Sequence, residues 1–236
     1  MFSIKNWDNK TWISSTKYIK SFNNFLLKQK KLNKESKILD IGCGRGKIIG
    51  SLSTKLKLKN KPIGLDIENH EDKDKRIIFK KISAIKYLEN NKKKFDLILI
   101  KQTIHLFNLR DIKKILTYSQ SSLEKDGIIL ILTLVTKKNE IPTFSLMKQK
   151  LNQSFKRDII IWNKILRLNI KKSISKFNFK VKVKKNLYLD MIKQRYISTL
   201  LKLSPAQILN VIQEINLKYK KNIIFNDKLN CIILKN

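Results

Sequence analysis

Glycine and proline are scarce in this chain, at six and three residues of 236. No glycine- or proline-rich linker and no internal repeat divides the sequence, so one domain is expected over 1–236. Cysteine is scarcer still. Cys43 and Cys231 stand far apart and make no metal-ligand spacing, so no metal site is expected, and two reduced thiols suit a cytoplasmic protein. No run approaches the roughly eighteen apolar residues of a membrane span. The opening MFSIKNWDNKTWISS lacks a basic segment followed by an apolar one, so no secretory leader is expected.

Acidic residues are also few. Eighteen Asp and Glu face 52 Lys and Arg, for a net charge of +34, which invites a nucleic-acid partner. Three features weaken that reading. Only six of the 52 are arginine, the residue suited to bidentate phosphate and base contacts. The lysines run from Lys5 to Lys235 rather than forming one stripe. Lysine, isoleucine and asparagine, all abundant here, share A/T-rich codons. Nucleic acid therefore stays open as the lesser reading.

The glycines are placed with purpose: four fall at 42, 44, 46 and 50, then Gly64 and Gly127. Around them run short apolar segments at 38–41, 62–67, 76–79, 95–100 and 127–134, separated by helical periodicity at 47–58, 83–91 and 110–123. Strands apolar on both faces and alternating with helices imply an α/β fold with a parallel sheet covered on both sides. Residues 16–31 form an amphipathic helix, and 143–176 read as mostly helical. Phe179 to Lys184 alternates as an edge strand guarded by lysines. Ser204-Pro205-Ala206-Gln207 opens a helix with a cap, a first-turn proline and a capping-box glutamine. The expected layout is a helical segment at 1–34, a ligand-binding core at 36–136, a helical lid with the edge strand at 142–220, and a last strand at 222–234.

The segment Ile38-Leu39-Asp40-Ile41-Gly42-Cys43-Gly44-Arg45-Gly46-Lys47 carries the chemistry. A buried strand ends there in a glycine loop that opens a helix, the usual ligand site of an open α/β sheet. A dinucleotide loop would need its third glycine where Lys47 stands, and no phosphate-loop motif occurs. The acid-x-G-x-G-x-G pattern instead resembles motif I of class I S-adenosylmethionine-dependent methyltransferases. Asp66, at the end of the second strand, matches the family's ribose-binding acid. The resemblance covers about residues 36–135 and implies a Rossmann-like, seven-stranded, mostly parallel sheet, helices on both faces, and a helical lid inserted before the last strand.

By that resemblance S-adenosylmethionine is the expected cofactor, held by Asp40, Gly42, Cys43, Gly44, Gly46, Asp66, Ile67, Ser83, Ala84, Lys101 and Gln102. Ser83 stands where the family often has an acid for the adenine amino group. His105, after the fourth strand, is the candidate general base and also a candidate substrate contact. Met191 to Ser198 resembles a lid segment of small-molecule methyltransferases of the trans-aconitate type, where Arg195 and Tyr196 would hold an anionic substrate. Trp12, and with it Trp7, would close over the site from the N-terminal segment. His70, in a run of mixed charge, reads as a solvated loop residue. The function expected first is methyl transfer to a small-molecule acceptor. An RNA methyltransferase and a non-catalytic cofactor-binding partner subunit are the alternatives.

Overall fold

The computed structural model describes residues 11–201 and 203–235; Trp7 lies outside the described residues. Seven strands, β1 (Ile38–Ile41), β2 (Ile63–Asp66), β3 (Ile78–Lys81), β4 (Phe95–Lys101), β5 (Leu123–Leu134), β6 (Lys172–Lys184) and β7 (Asn222–Lys235), form one sheet in the order β3-β2-β1-β4-β5-β7-β6. Pairing is parallel from β3 to β5, and β7 runs antiparallel to both β5 and β6.

Side-chain parity explains why the central strands are apolar throughout. Leu97 and Leu99 of β4, with Leu130 and Leu132 of β5, enter one apolar layer. Ile98, Ile100, Ile129 and Ile131 enter the layer on the opposite face. The first layer is closed by α1 (Thr16–Gln29), α2 (Lys47–Leu56), α6 (Lys185–Lys193) and α7 (Pro205–Lys218), the second by α3 (Ala84–Glu89) and α4 (Leu109–Ser121). Polar caps fix where helices start. Ser15 accepts from the Tyr18 amide, Asn108 accepts from the Asp111 amide, and Ser204 with Gln207 forms the expected reciprocal capping box.

The long helix α5 (Ser145–Leu166) has another job. Its first half places Met147, Leu151 and Phe155 in the first layer, while Ile161 and Ile165 belong to the second. It therefore passes over the end of the sheet rather than lying along one face. That makes it a roof.

The helical expectation for 143–176 is corrected here. α5 stops at Leu166 and Lys172 already begins β6, seven residues ahead of the expected start at Phe179. Lys172 to Asn178 pair with Leu234 to Lys228, so a ladder along β7 overrides weak local helix propensity. The third strand likewise lies at 78–81 rather than 76–79, set by the pairing of Ile78 with Ile63. β6 keeps Phe177, Val181 and Val183 inside and Lys176, Lys180, Lys182 and Lys184 out, the charged sheet edge expected from its alternation.

β1 is followed laterally by β2 and β3 on one side and by β4 and β5 on the other. Its C-terminal end is thus a topological switch point, where chain leaving β1 and β4 diverges to opposite faces and leaves a crevice. α5 covers that crevice.

Candidate active site

Three consecutive left-handed glycines shape the turn out of β1: Gly42 at φ +73°, Gly44 at +54° and Gly46 at +72°. The Gly42 and Cys43 amides both donate to the Leu65 carbonyl, at 2.8 and 3.0 Å, which ties the loop to the end of β2. A Cβ on Gly42 would fall 2.2 Å from Thr103 Oγ1. A Cβ on Gly44 would meet no protein atom within 4 Å, so this stretch of backbone lies bare toward the cleft.

Asp66 ends β2 beside that bare backbone. Its Oδ2 accepts the Gly44 amide at 2.9 Å and its Oδ1 the Glu68 amide at 3.0 Å. His70 Nε2 stands 3.5 Å from Oδ1. Burial alone would raise the Asp66 pKa, but donation from His70, Glu68 and Gly44 outweighs it and holds the carboxyl below its usual range. Two oxygens carry about four acceptor sites, so the carboxylate can still receive further hydroxyls. The solvated-loop reading of His70 is corrected: the residue is 2% exposed and packs against the acid it orients.

Asp40 is buried at the end of β1, and desolvation pushes its pKa up to about 7, with Lys101 lowering it and Asp66 adding to the rise. The Lys101 ammonium lies 5.4 Å from the ring centres of Tyr18 and Phe22 and 2.8 Å from Gln102 Oε1. Gln102 is at φ +52°, a costly conformation for a residue with a Cβ, and its amide donates to Leu132. Strain of this kind at the tip of β4 turns the chain back across the cleft mouth.

The cleft has a volume of about 290 Å³. Asp40, Gly42, Cys43, Gly44, Asp66, Ile67, Ala84, Lys101 and Gln102 all line it, as expected. Ile67 is 60% exposed and Leu106 53%, two large apolar side chains held open on its wall. Ala84 is the first residue of α3, so its amide is among those with no intrahelical carbonyl to donate to.

Two of the expected cofactor residues do not line the cleft. Gly46 caps α2, with its Cα turned toward Ile77. Ser83 is exposed, and its side chain accepts the Lys86 amide as the cap of α3. The cap turns this hydroxyl to the backbone of α3, and it is the neighbours Ile82 and Ala84 that line the cleft. Cys43 contributes backbone only: burial, with the nearby Asp40 and Asp66 charges, drives its thiol pKa well up, so no thiolate is available.

On the other side of the cleft stand Leu134, Ile141, Leu151, Phe155, Tyr196 and Ile197. The expected substrate residues are all here, and Trp12, Tyr196 and Arg195 are each held by other groups of the protein. Trp12 Nε1 donates to Asp227 Oδ2 at 2.8 Å, with Tyr196 and Phe225 edge-on to its ring at 5.2 and 5.1 Å. Tyr196 Oη lies 2.8 Å from Tyr188 Oη, which donates to the Pro142 carbonyl at 2.6 Å. Arg195 donates to the Leu203 carbonyl at 2.8 Å and is 6% exposed. These contacts make Arg195 and Tyr196 structural parts of the wall rather than an open anion receptor. His105 is neutral, its pKa lowered to about 4 by burial and by the Arg157 charge. Arg157 in turn donates to the Phe107 carbonyl at 2.7 Å, fastening α5 to the segment after β4.

A bare glycine turn, an ionised acid clamped beside it and an apolar slot lie at the switch point of a sheet whose β7 runs antiparallel between β5 and β6. That combination defines a class I S-adenosylmethionine-dependent methyltransferase, and the residues fit its cofactor. The family described as "Methyltransferase domain" matches residues 32–188, two thirds of the chain, and the protein belongs to it. S-adenosylmethionine is its cofactor, and methyl transfer is its chemistry.

Solved structures share the fold. A putative methyltransferase from an antibiotic biosynthesis pathway of Anabaena variabilis superposes with a TM-score of 0.62 at 14% identity, over 90% of this chain and 96% of that one. The plantazolicin methyltransferase BpumL, solved with a monoazolic desmethylPZN analog and SAH, gives 0.54 at 17%, over 98% and 88%. A SAM-dependent methyltransferase from Archaeoglobus fulgidus gives 0.51 at 19%, over 92% and 94%. Among curated proteins no sequence matches. Among the described residues no helix is long and apolar enough to cross a membrane, and no three His, Cys, Asp or Glu side chains gather as metal ligands.

Proposed function

We propose that this enzyme methylates a small-molecule acceptor held between the tip of β4 and the α5 roof. The observation that carries the reading is the character of the acceptor side. Leu134, Ile141, Leu151, Phe155, Tyr196 and Ile197 close a narrow, mainly apolar space that suits a compact organic molecule and gives a phosphate backbone nothing to bind. Part of the +34 charge lies away from the cleft, along β6, where Lys176, Lys180, Lys182 and Lys184 face solvent on the sheet edge.

When bound, the cofactor supplies a methyl group on a cationic sulfur, an electrophile that needs no activation by the protein. The protein's own task is placement. Asp66 is set to accept the ribose hydroxyls, Gly42 to Gly44 to admit the methionine moiety, Asp40 to balance its amino group, and Ile67 to lie against the adenine with the Ala84 amide near its edge. Lys101 and Gln102 separate the cofactor half of the cleft from the acceptor half. His105 forms part of the acceptor wall. A ring whose pKa is about 4 is a poor base, and among the described residues it has no hydrogen-bonded partner to orient it. Alignment of acceptor and methyl donor in a dry space is then the main contribution.

The test is a calorimetric titration with S-adenosylmethionine and S-adenosylhomocysteine, followed by a screen of small molecules and RNA with methyl-labelled cofactor. Label entering a small molecule supports the reading. Label entering RNA alone overturns it.

A further inference from the structure

Asp227 is an acid on the buried phase of its own strand. β7 buries alternate residues, and Ile223, Phe225, Asp227 and Leu229 share the inward side, so a carboxyl occupies an apolar position with 1% exposure. Such a group is costly unless its oxygens are satisfied. Trp12 Nε1 donates to Oδ2 at 2.8 Å, while Oδ1 has no hydrogen-bond partner among the described residues. Burial raises the pKa of this carboxyl, while Trp12, the Lys101 charge and the Tyr18 hydroxyl act to lower it, and even with all three counted its two oxygens have acceptor sites to spare. Asp227 lines the cleft, and so does Thr199, whose buried Oγ1 is likewise unpartnered.

The surroundings decide what such an oxygen can receive. The faces nearby are aromatic and aliphatic: Trp12, Tyr196, Phe155 and Ile141. A carboxylate set among aromatic rings attracts a nitrogen cation or an N–H donor and repels an anion. Three cations line the cleft: Lys47 at the start of α2, whose charge bears on Asp74, and Lys101 and Arg195. Lys101 sits with Gln102, Asp40 and the rings of Tyr18 and Phe22, and Arg195 holds the Leu203 carbonyl. A carboxylate-bearing acceptor would meet the Asp227 charge directly, with Lys101 already drawn to Asp40 and Asp227.

We infer that Asp227 recognises the methyl acceptor, and that this acceptor carries an amine on an apolar or aromatic body. The inference rests on the small-molecule reading and narrows it. Asp227 acts by binding and orienting: a remaining acceptor site on Oδ1 takes the amine N–H, and the aromatic wall takes the body.

The test is calorimetry on the full chain saturated with S-adenosylhomocysteine, titrated with phenethylamine, phenethyl alcohol and hydrocinnamate, three probes of similar body and different head. The amine is expected to bind at least about tenfold tighter than the other two, the scale of one charge-assisted hydrogen bond. Asp227→Asn keeps an oxygen for Trp12 and is expected to erase that preference while leaving S-adenosylhomocysteine affinity unchanged. Should the variant unfold, the ranking of probes by the wild-type protein still decides. Hydrocinnamate binding as well as the amine, no ranking, no binding by any probe, or an unchanged preference in Asp227→Asn would each overturn the inference. Hydrocinnamate preference sinks it alone, whereas an RNA oligonucleotide that binds when all three probes fail sinks the small-molecule reading as well.

Discussion

His70 Nε2 stands 3.5 Å from Asp66 Oδ1 and completes a set of three donors, with the Gly44 and Glu68 amides, around one carboxylate. The arrangement holds Asp66 ionised and in a fixed orientation, which suits the ribose contact proposed for it. Asp66→Ala is expected to weaken S-adenosylhomocysteine binding by roughly ten- to a hundredfold, the cost of losing hydrogen bonds to a charged group. His70→Ala should cost about three- to tenfold, because the acid remains but is less fixed. Calorimetry of both variants, with thermal unfolding alongside, separates lost binding from lost fold. Equal affinity of His70→Ala and wild type would show that the two amides suffice.

The two acids of the cleft should respond oppositely to pH. Asp66 has a depressed pKa, so its contribution to stability is present above the usual carboxylate range and is lost only as pH falls through its lowered folded value. Asp40 has a raised pKa, from 3.8 to about 7. Between those values the folded protein keeps a proton that the unfolded chain has released, so stability declines as pH rises across that window. Cofactor binding runs the other way. A cationic amino group favours ionised Asp40, so the dissociation constant is expected to fall by up to about tenfold per pH unit below about pH 7 and then level off. Asp40→Asn should flatten the profile; a wild-type profile already flat from about pH 5.5 to 7.5 would place the amino group away from Asp40.

Gly42 and Gly44 share a left-handed backbone yet should fail differently when a methyl is added. At Gly42 the methyl collides with Thr103, so Gly42→Ala is expected to destabilise the fold by about 2 kcal/mol or more, read as a lower unfolding temperature. At Gly44 it meets no protein atom, so Gly44→Ala pays only the backbone term, about 1 kcal/mol. Its methyl projects into the cleft, and cofactor affinity should fall by more than tenfold while the protein stays folded. A Gly44→Ala protein that binds normally would move the methionine moiety off this loop.

Much of this was legible in the sequence, and for local reasons. A glycine loop between a buried strand and a helix has few geometric solutions, so Asp40, Gly42, Gly44 and Asp66 could be placed from spacing and resemblance. Ser83 differs from expectation because a serine at a helix start accepts the amide of its own first turn. His70 was hidden because its burial depends on the Asp66 carboxylate folding back against it, although the separation of four residues from an acid was a usable signal. Asp227 carried a clearer one, an acid on the apolar phase of an alternating strand. The strand at Lys172 was illegible locally, since only its ladder with β7 creates it.

His105 gives the sharpest test of mechanism. It lines the acceptor side, but its pKa of about 4 leaves it neutral throughout the physiological range, and the charge of Arg157 opposes any proton it might take up. A general base of ordinary histidine pKa would impose a rise in kcat through about pH 6.5, whereas alignment alone imposes none. His105→Gln keeps a polar group of similar length on the wall. It is expected to retain kcat within about threefold, to raise KM modestly through altered packing, and to leave the pH profile of kcat unchanged. A fall of about a hundredfold in kcat with loss of a pH-dependent limb would return the proton-transfer role to His105, and the proton would then leave the acceptor on the enzyme.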